Sequence, residues 1–257
     1  MVLQIPSSST TPTITWEALP ADFILPDDPV GNIQQPPLAA ALTDALGAAG
    51  RIQSIALIGS NLGLVATVNK QTVVKAPDWF YAPQVYGVAE GTIRRSYTPN
   101  LEGAQVSVVM EFLSNEDYAE LSARSTSTPP YGKLYFYEQI LQVPTYVTYD
   151  PYEPKLEVRY LQNGGYEKQA ADAQGRVRIP ELDLWLGIWP GERLGQTMNW
   201  LRWWDSQGNL LLWSSEQAQQ ERLLAQQERL LAQQERQRAD LLAAKLRELG
   251  VDPDRLA

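Results

Sequence analysis

Residues 106–114 read VSVVMEFLS. Val106, Val108, Val109, Met110, Phe112 and Leu113 make this segment a strand that belongs in a core. Glu111 stands in the middle of it. A carboxylate in a buried strand is costly unless another group pairs with it. Any fold this chain adopts must therefore bring a partner to Glu111.

The choice of partner is narrowed by what the chain lacks. Its 257 residues include no cysteine and no histidine. Disulfides, thiolate metal sites, Ser-His-Asp and Cys-His catalysis, and zinc sites built from the usual ligands are all excluded. Chemistry must come from carboxylates, Lys, Arg, Ser, Thr or Tyr. Carboxylate oxygens suit hard cations such as Mg²⁺. The absence of cysteine fits a reducing cytoplasm, and a cytoplasmic location is expected. No apolar run approaches the ~20 residues of a membrane span, and the N-terminal residues do not read as a signal peptide. The formal net charge is −9, so a global basic footprint for nucleic acid is missing. Nucleic-acid binding would need a local cationic patch or a bound metal.

The pattern along the chain is mixed. Residues 1–24 read as a loose N-terminal arm, and 25–37 is polar and Pro-rich. Leu38, Leu42 and Leu46 then mark one helix face, with Gly50 as its stop. Short β-branched segments at 52–60, 62–69, 71–78 and 104–112 predict strands. Residues 131–142 are helical by spacing, and 145–150 with 155–163 predict a strand pair. Residues 199–213 predict a hairpin around DSQGN. Six of the eight tryptophans fall between Trp185 and Trp213. They could stack on bases, but core packing is the favoured reading. Strands interleaved with helices imply an α/β or α+β domain over 25–213.

The character changes at Ser214. The heptapeptide QERLLAQ occurs twice in tandem at 220–233, and no Pro or Gly separates Ser214 from Leu249. Residues 214–257 therefore form a third region, a long helix with the pairs Leu223–Leu224 and Leu230–Leu231 seven apart. The apolar stripe is thin. It fits a weak coiled coil, giving a homodimer, or a solvated lone helix.

Asp78 follows Pro77 at the end of a strand-like run. Carboxylates on neighbouring strands, Asp78 and Glu111, can share a divalent cation that offsets the burial cost of both. Lys133 shares a helix face with Tyr137 and Ile140, so it either snorkels past the core edge or reaches inward to a site. Asp, Glu, Lys and Mg²⁺ form a coherent hydrolytic set.

The segments KAPD, VVMEFLS and GKLYFYEQILQVPTYVTYDP resemble the Uma2 (DUF820) proteins, a branch of the PD-(D/E)XK nuclease superfamily. The resemblance spans roughly residues 30–190. It implies a restriction-endonuclease-like mixed sheet flanked by helices, and Mg²⁺- or Mn²⁺-dependent cleavage of nucleic-acid phosphodiesters. It also implies that Asp78 and Glu111 are metal ligands and that Asp78, Glu111 and Lys133 are catalytic. The chain departs from the pattern at two places. Leu113 stands where the motif's own Lys would be, and the resemblance implies that Lys133, in the following helix, takes that part. Pro129 stands where an Asp is frequent. Two functions follow as expectations: a metal-dependent endonuclease, or a catalytically inactive scaffold that self-associates through its C-terminal helix.

Overall fold

The computed structural model describes residues 12–20, 23, 33–113, 129 and 131–249. Most of the expected arm, part of the 25–37 connector, Pro130 and the residues after Leu249 lie outside them. The chain divides into two compact units, residues 1–211 and 212–257.

The first unit is a mixed α/β assembly. In chain order it holds β1 (Ile14–Thr15), α1 (Gln35–Ala48), β2 (Leu57–Gly59), β3 (Gly63–Val68), β4 (Gln71–Lys75), β5 (Trp79–Ala82), β6 (Ser96–Tyr97) and β7 (Val108–Phe112). A helical turn α2 (Lys133–Tyr135) runs directly into a π-helical turn (Phe136–Ile140). There follow β8 (Thr145–Asp150), β9 (Lys155–Gln162), β10 (Gly165–Lys168), β11 (Val177–Ile179), β12 (Leu184–Arg193) and β13 (Gln196–Trp204).

The main sheet has the order β10-β9-β8-β7-β5-β2. Only β7 and β8 within it run parallel. A parallel pair needs a crossover, and the crossover brings a helix onto one face of the sheet. That is why α2 and its π-helical turn lie against the sheet near β7. Beneath them, Phe80, Val109 and Tyr146 join Phe136, Tyr137 and Ile140 in one buried cluster. Leu64, Ala66 and Val68 of β3 belong to the same cluster. β3 pairs with β4 through a tight turn at Asn69 and Lys70, both at positive φ, which matches the twist of the strands.

The residues between these positions face the other way, as strand alternation requires. Trp79 meets Trp203 of β13 with ring centroids 6.2 Å apart. Its indole N–H donates to Thr43 Oγ1 at 3.0 Å, and the Trp203 indole N–H donates to the Leu42 carbonyl at 3.1 Å. Arg193 and Asp44 form an ion pair at 3.0 Å. Thus α1 and the sheet β11-β12-β13 belong to this second face. α1 begins with Gln35-Pro36-Pro37, and prolines are tolerated there because the first turn has no internal N–H bond to lose.

Several expectations need correction. The strand at 52–60 shrinks to Leu57–Gly59, because Gln53–Ala56 forms a turn that leaves Ile55 exposed. The four-residue strand β5 directly after Asp78 was not anticipated. The hairpin is not centred on DSQGN. It is β12–β13, turning at Leu194 and Gly195, both at positive φ. After the DSQGN turn the chain makes only one isolated bridge, Trp204 to Leu210. Of the clustered tryptophans, Trp200 and Trp203 are fully buried and Trp204 nearly so, whereas Trp185 and Trp189 are half-buried.

The second unit contains α3 (Ser214–Glu248), 35 residues long. Glu216 caps its start by accepting the Trp213 backbone N–H at 2.8 Å. Lys245 and Arg247 in its last turn favour the negative end of the helix dipole. None of its residues is buried. Truncation after Trp213 is expected to leave the first unit folded, with its melting temperature shifted by no more than a few degrees. Calorimetry of the truncated monomer checks this, and a large loss would show that α3 is needed for the fold.

Candidate active site

Glu111 is buried, 5% exposed, and projects to the face covered by α2. Both carboxylate oxygens have partners. Lys133 Nζ lies 3.1 Å from Oε2, and the Tyr137 hydroxyl donates to Oε1 at 2.8 Å. Lys133 and Tyr137 are four residues apart, so successive turns of one helix hold the two oxygens. The Lys133 side chain keeps 22% of its exposure, which places it between the core and the surface. Lys133 therefore reaches inward rather than snorkelling away.

Asp78 immediately precedes β5, and β5 pairs with β7 so that Trp79 is opposite Met110. Asp78 Oδ2 accepts the Phe112 backbone N–H at 2.6 Å. The Phe112 carbonyl in turn accepts the Gln35 side-chain amide of α1. One peptide segment of β7 is thus held from both sides. Beside it is a pocket of about 180 Å³ lined by Gln35, Ala39, Ser60, Asn61 and Asp78, among others.

Burial pushes the Glu111 carboxyl up to about 8. The Lys133 charge opposes this, the Asp78 charge adds to it, and the hydrogen bonds from Tyr137 and Lys133 oppose it. The influence of Asp78 on Glu111 means that the two carboxylates are close enough to interact. Burial, and then the Glu111 charge, raise the Tyr137 phenol well above its ordinary value, so it remains a donor. Among the described residues no group of three or more His, Cys, Asp or Glu side chains could hold a metal ion. What the site offers a cation is the pair Asp78 and Glu111. Their oxygens are hard donors, and Mg²⁺ commonly takes only one or two carboxylates and keeps several waters. A cation would also relieve the repulsion that helps raise Glu111. The donor set fits.

The structure brings Asp78, Glu111 and Lys133 together. It also adds two residues that the sequence did not mark. Tyr137 was visible only as a member of the helix face, and Gln35 lay in a segment read as connector. A tyrosine four residues from the lysine was the available signal for the first; none marked the second. Leu113 is buried and bonded through its N–H to Tyr149, so it has no part in the chemistry. Arg94 is committed to Glu102 and to the Tyr86 carbonyl.

The first unit is thus a mixed α/β assembly with a carboxylate pair and a helix-borne lysine beside its central parallel strands. The Uma2 family model, described as "Putative restriction endonuclease", matches residues 21–195. The chain belongs to the Uma2 family. No curated protein matches it. Among the described residues, no helix is long and apolar enough to cross a membrane.

The burial of Glu111 makes stability depend on pH. An exposed Glu titrates near 4.5, whereas Glu111 does so near 8. The metal-free folded state therefore holds a proton that the unfolded chain has lost, and stability falls as pH rises from about 5 to about 8. Glu111→Gln should remove this part of the fall. Denaturant unfolding in chelator across that range checks it; identical pH dependence in both proteins would contradict the buried, protonated Glu111.

Proposed function

We propose that this chain is a metal-dependent endonuclease with a restriction-endonuclease-like domain over 25–213 and an appended helix over 214–257. The observation that carries the reading is the buried Glu111 held by Lys133 and Tyr137, with Asp78 beside it. Membership of the Uma2 family supports it. In this reading Asp78 and Glu111 bind Mg²⁺ or Mn²⁺. Such a cation, when bound, supplies Lewis-acid polarisation of a phosphoryl oxygen and makes water more acidic. Lys133 places its positive charge where negative charge develops on the scissile phosphate. Tyr137 fixes the orientation of the Glu111 carboxylate, as outer partners of metal ligands do. The substrate is a nucleic acid, and the absence of cysteine is compatible with work in the cytoplasm.

Calorimetric titration with Mg²⁺ and Mn²⁺, run beside cleavage assays on single- and double-stranded DNA, tests the reading. Asp78→Asn and Glu111→Gln should each abolish metal binding and cleavage. Lys133→Ala should retain metal binding but lower the rate by about 10²–10³-fold. Tyr137→Phe should weaken metal binding by about 10-fold or more while leaving the ring's packing in place. A wild-type protein that binds neither metal at millimolar concentration would overturn the nuclease reading.

A second reading rests on α3. Leu223, Leu224, Leu230 and Leu231 are each more than half exposed, although they recur at a seven-residue spacing. Such a row is suited to a coiled coil with a second copy of the chain. The reading treats the protein as a catalytically inactive scaffold that self-associates through its C-terminal helix. Sedimentation should show a concentration-dependent dimer that Leu224→Gln with Leu231→Gln abolishes; a strict monomer at all concentrations would exclude it.

A further inference from the structure

The register of the main sheet extends the face that carries Glu111. Glu111 on β7 is opposite Thr148 on β8, and Thr148 is opposite Glu157 on β9. Directly paired residues project from the same face, so Glu157 shares the face of Glu111. Lys155 and Arg159, two residues to either side of Glu157, share it as well. Lys168 on β10 is opposite Arg159 and joins them.

These side chains meet. Glu157 Oε1 lies 2.9 Å from Lys155 Nζ and 3.0 Å from Lys168 Nζ, and its Oε2 lies 2.6 Å from Arg159 Nη2. Tying the β9–β10 hairpin would require one cation per carboxylate, as Arg94–Glu102 and Arg178–Asp183 show elsewhere. Asp150, opposite Lys155 on the same face, is a second acid, and three cations against two carboxylates leave a net positive charge. That charge faces solvent, since the Lys155 and Lys168 side chains are 65% and 58% exposed. In a chain of net charge −9, this is a local exception on the same sheet face as the candidate site.

We infer that Lys155, Arg159 and Lys168 form a docking track for the phosphate backbone of a nucleic acid, leading to Glu111 and Lys133. The inference rests on the nuclease reading and gives it a substrate path. Strand spacing puts β9 about 10 Å and β10 about 14 Å from β7. At a rise of about 3.4 Å per nucleotide, that separation corresponds to roughly three or four nucleotides from the cut. Glu157 holds the three cations in place on the track while reducing their net attraction.

The test is binding of short fluorescein-labelled DNA, single-stranded and duplex, followed by anisotropy over a range of salt. The full chain carries Glu111→Gln so that no bond is cut. Adding Lys155→Gln, Arg159→Gln and Lys168→Gln should weaken binding by about 10–100-fold and flatten the log–log salt slope by about two to three. Adding Glu157→Gln alone should instead tighten binding, because it exposes the cations without removing them; this arm is independent of whether the triple variant folds. If the triple variant folds and binds with unchanged affinity and slope, or if Glu157→Gln fails to tighten binding, the track is refuted while the nuclease reading stands. If the Glu111→Gln parent and the wild type both bind no DNA, the nuclease reading falls and the track with it.

Discussion

The burial of one carboxylate in strand β7 organises the first unit. Glu111 has lost its water, and the cost is offset by an ammonium on one oxygen and a phenol on the other. Both donors come from a single short helical segment. That segment reaches them only because β7 and β8 are parallel and the chain must cross over the sheet between them. Topology and local chemistry are therefore tied together: an antiparallel β7–β8 pair joined by a hairpin would leave Glu111 without its donors.

The opposite face of the same strand is built from different material. Trp79 and Trp203 contact each other there, and both anchor their indole N–H groups on α1. Gln35, at the start of that helix, extends a side-chain bond to the Phe112 carbonyl, one residue beyond Glu111. β7 is thus fixed from both faces near the site, which limits how far its carboxylate can move. Such restraint suits a group that must present oxygen atoms at a fixed geometry. The family match ends at residue 195, in the turn of the β12–β13 hairpin. The strand that brings Trp200 and Trp203 lies beyond the matched residues, and it packs against α1 all the same.

The parts of this arrangement legible in sequence are those governed by local pattern. The β8–β9 pair and the long helix match the spacing of apolar and β-branched residues. Asp78, Glu111 and Lys133 stood out because each is a charge inside an apolar context. What escaped depends on distant contacts. β5 is four residues long and fully buried, with no alternation to betray it. Residues 199–213 resembled a hairpin because DSQGN makes a real turn, yet the better strand partner for β13 lay upstream in β12. Gln35 serves the site across 77 residues of sequence, a distance that no local motif can encode.

The tandem heptapeptide in α3 has a consequence for how this helix can change. One repeat advances the helix by about 10 Å and almost two full turns, so the next repeat presents its leucines with little angular drift. Adding or deleting a whole repeat alters reach while nearly preserving the apolar row. A step of eleven residues, already present between Leu230–Leu231 and Leu241–Leu242, holds the face as well, whereas an insertion that adds half a turn would carry everything downstream away from it. The helix therefore behaves as a ruler graduated in units of seven residues, adjustable by duplication without redesign of its surface.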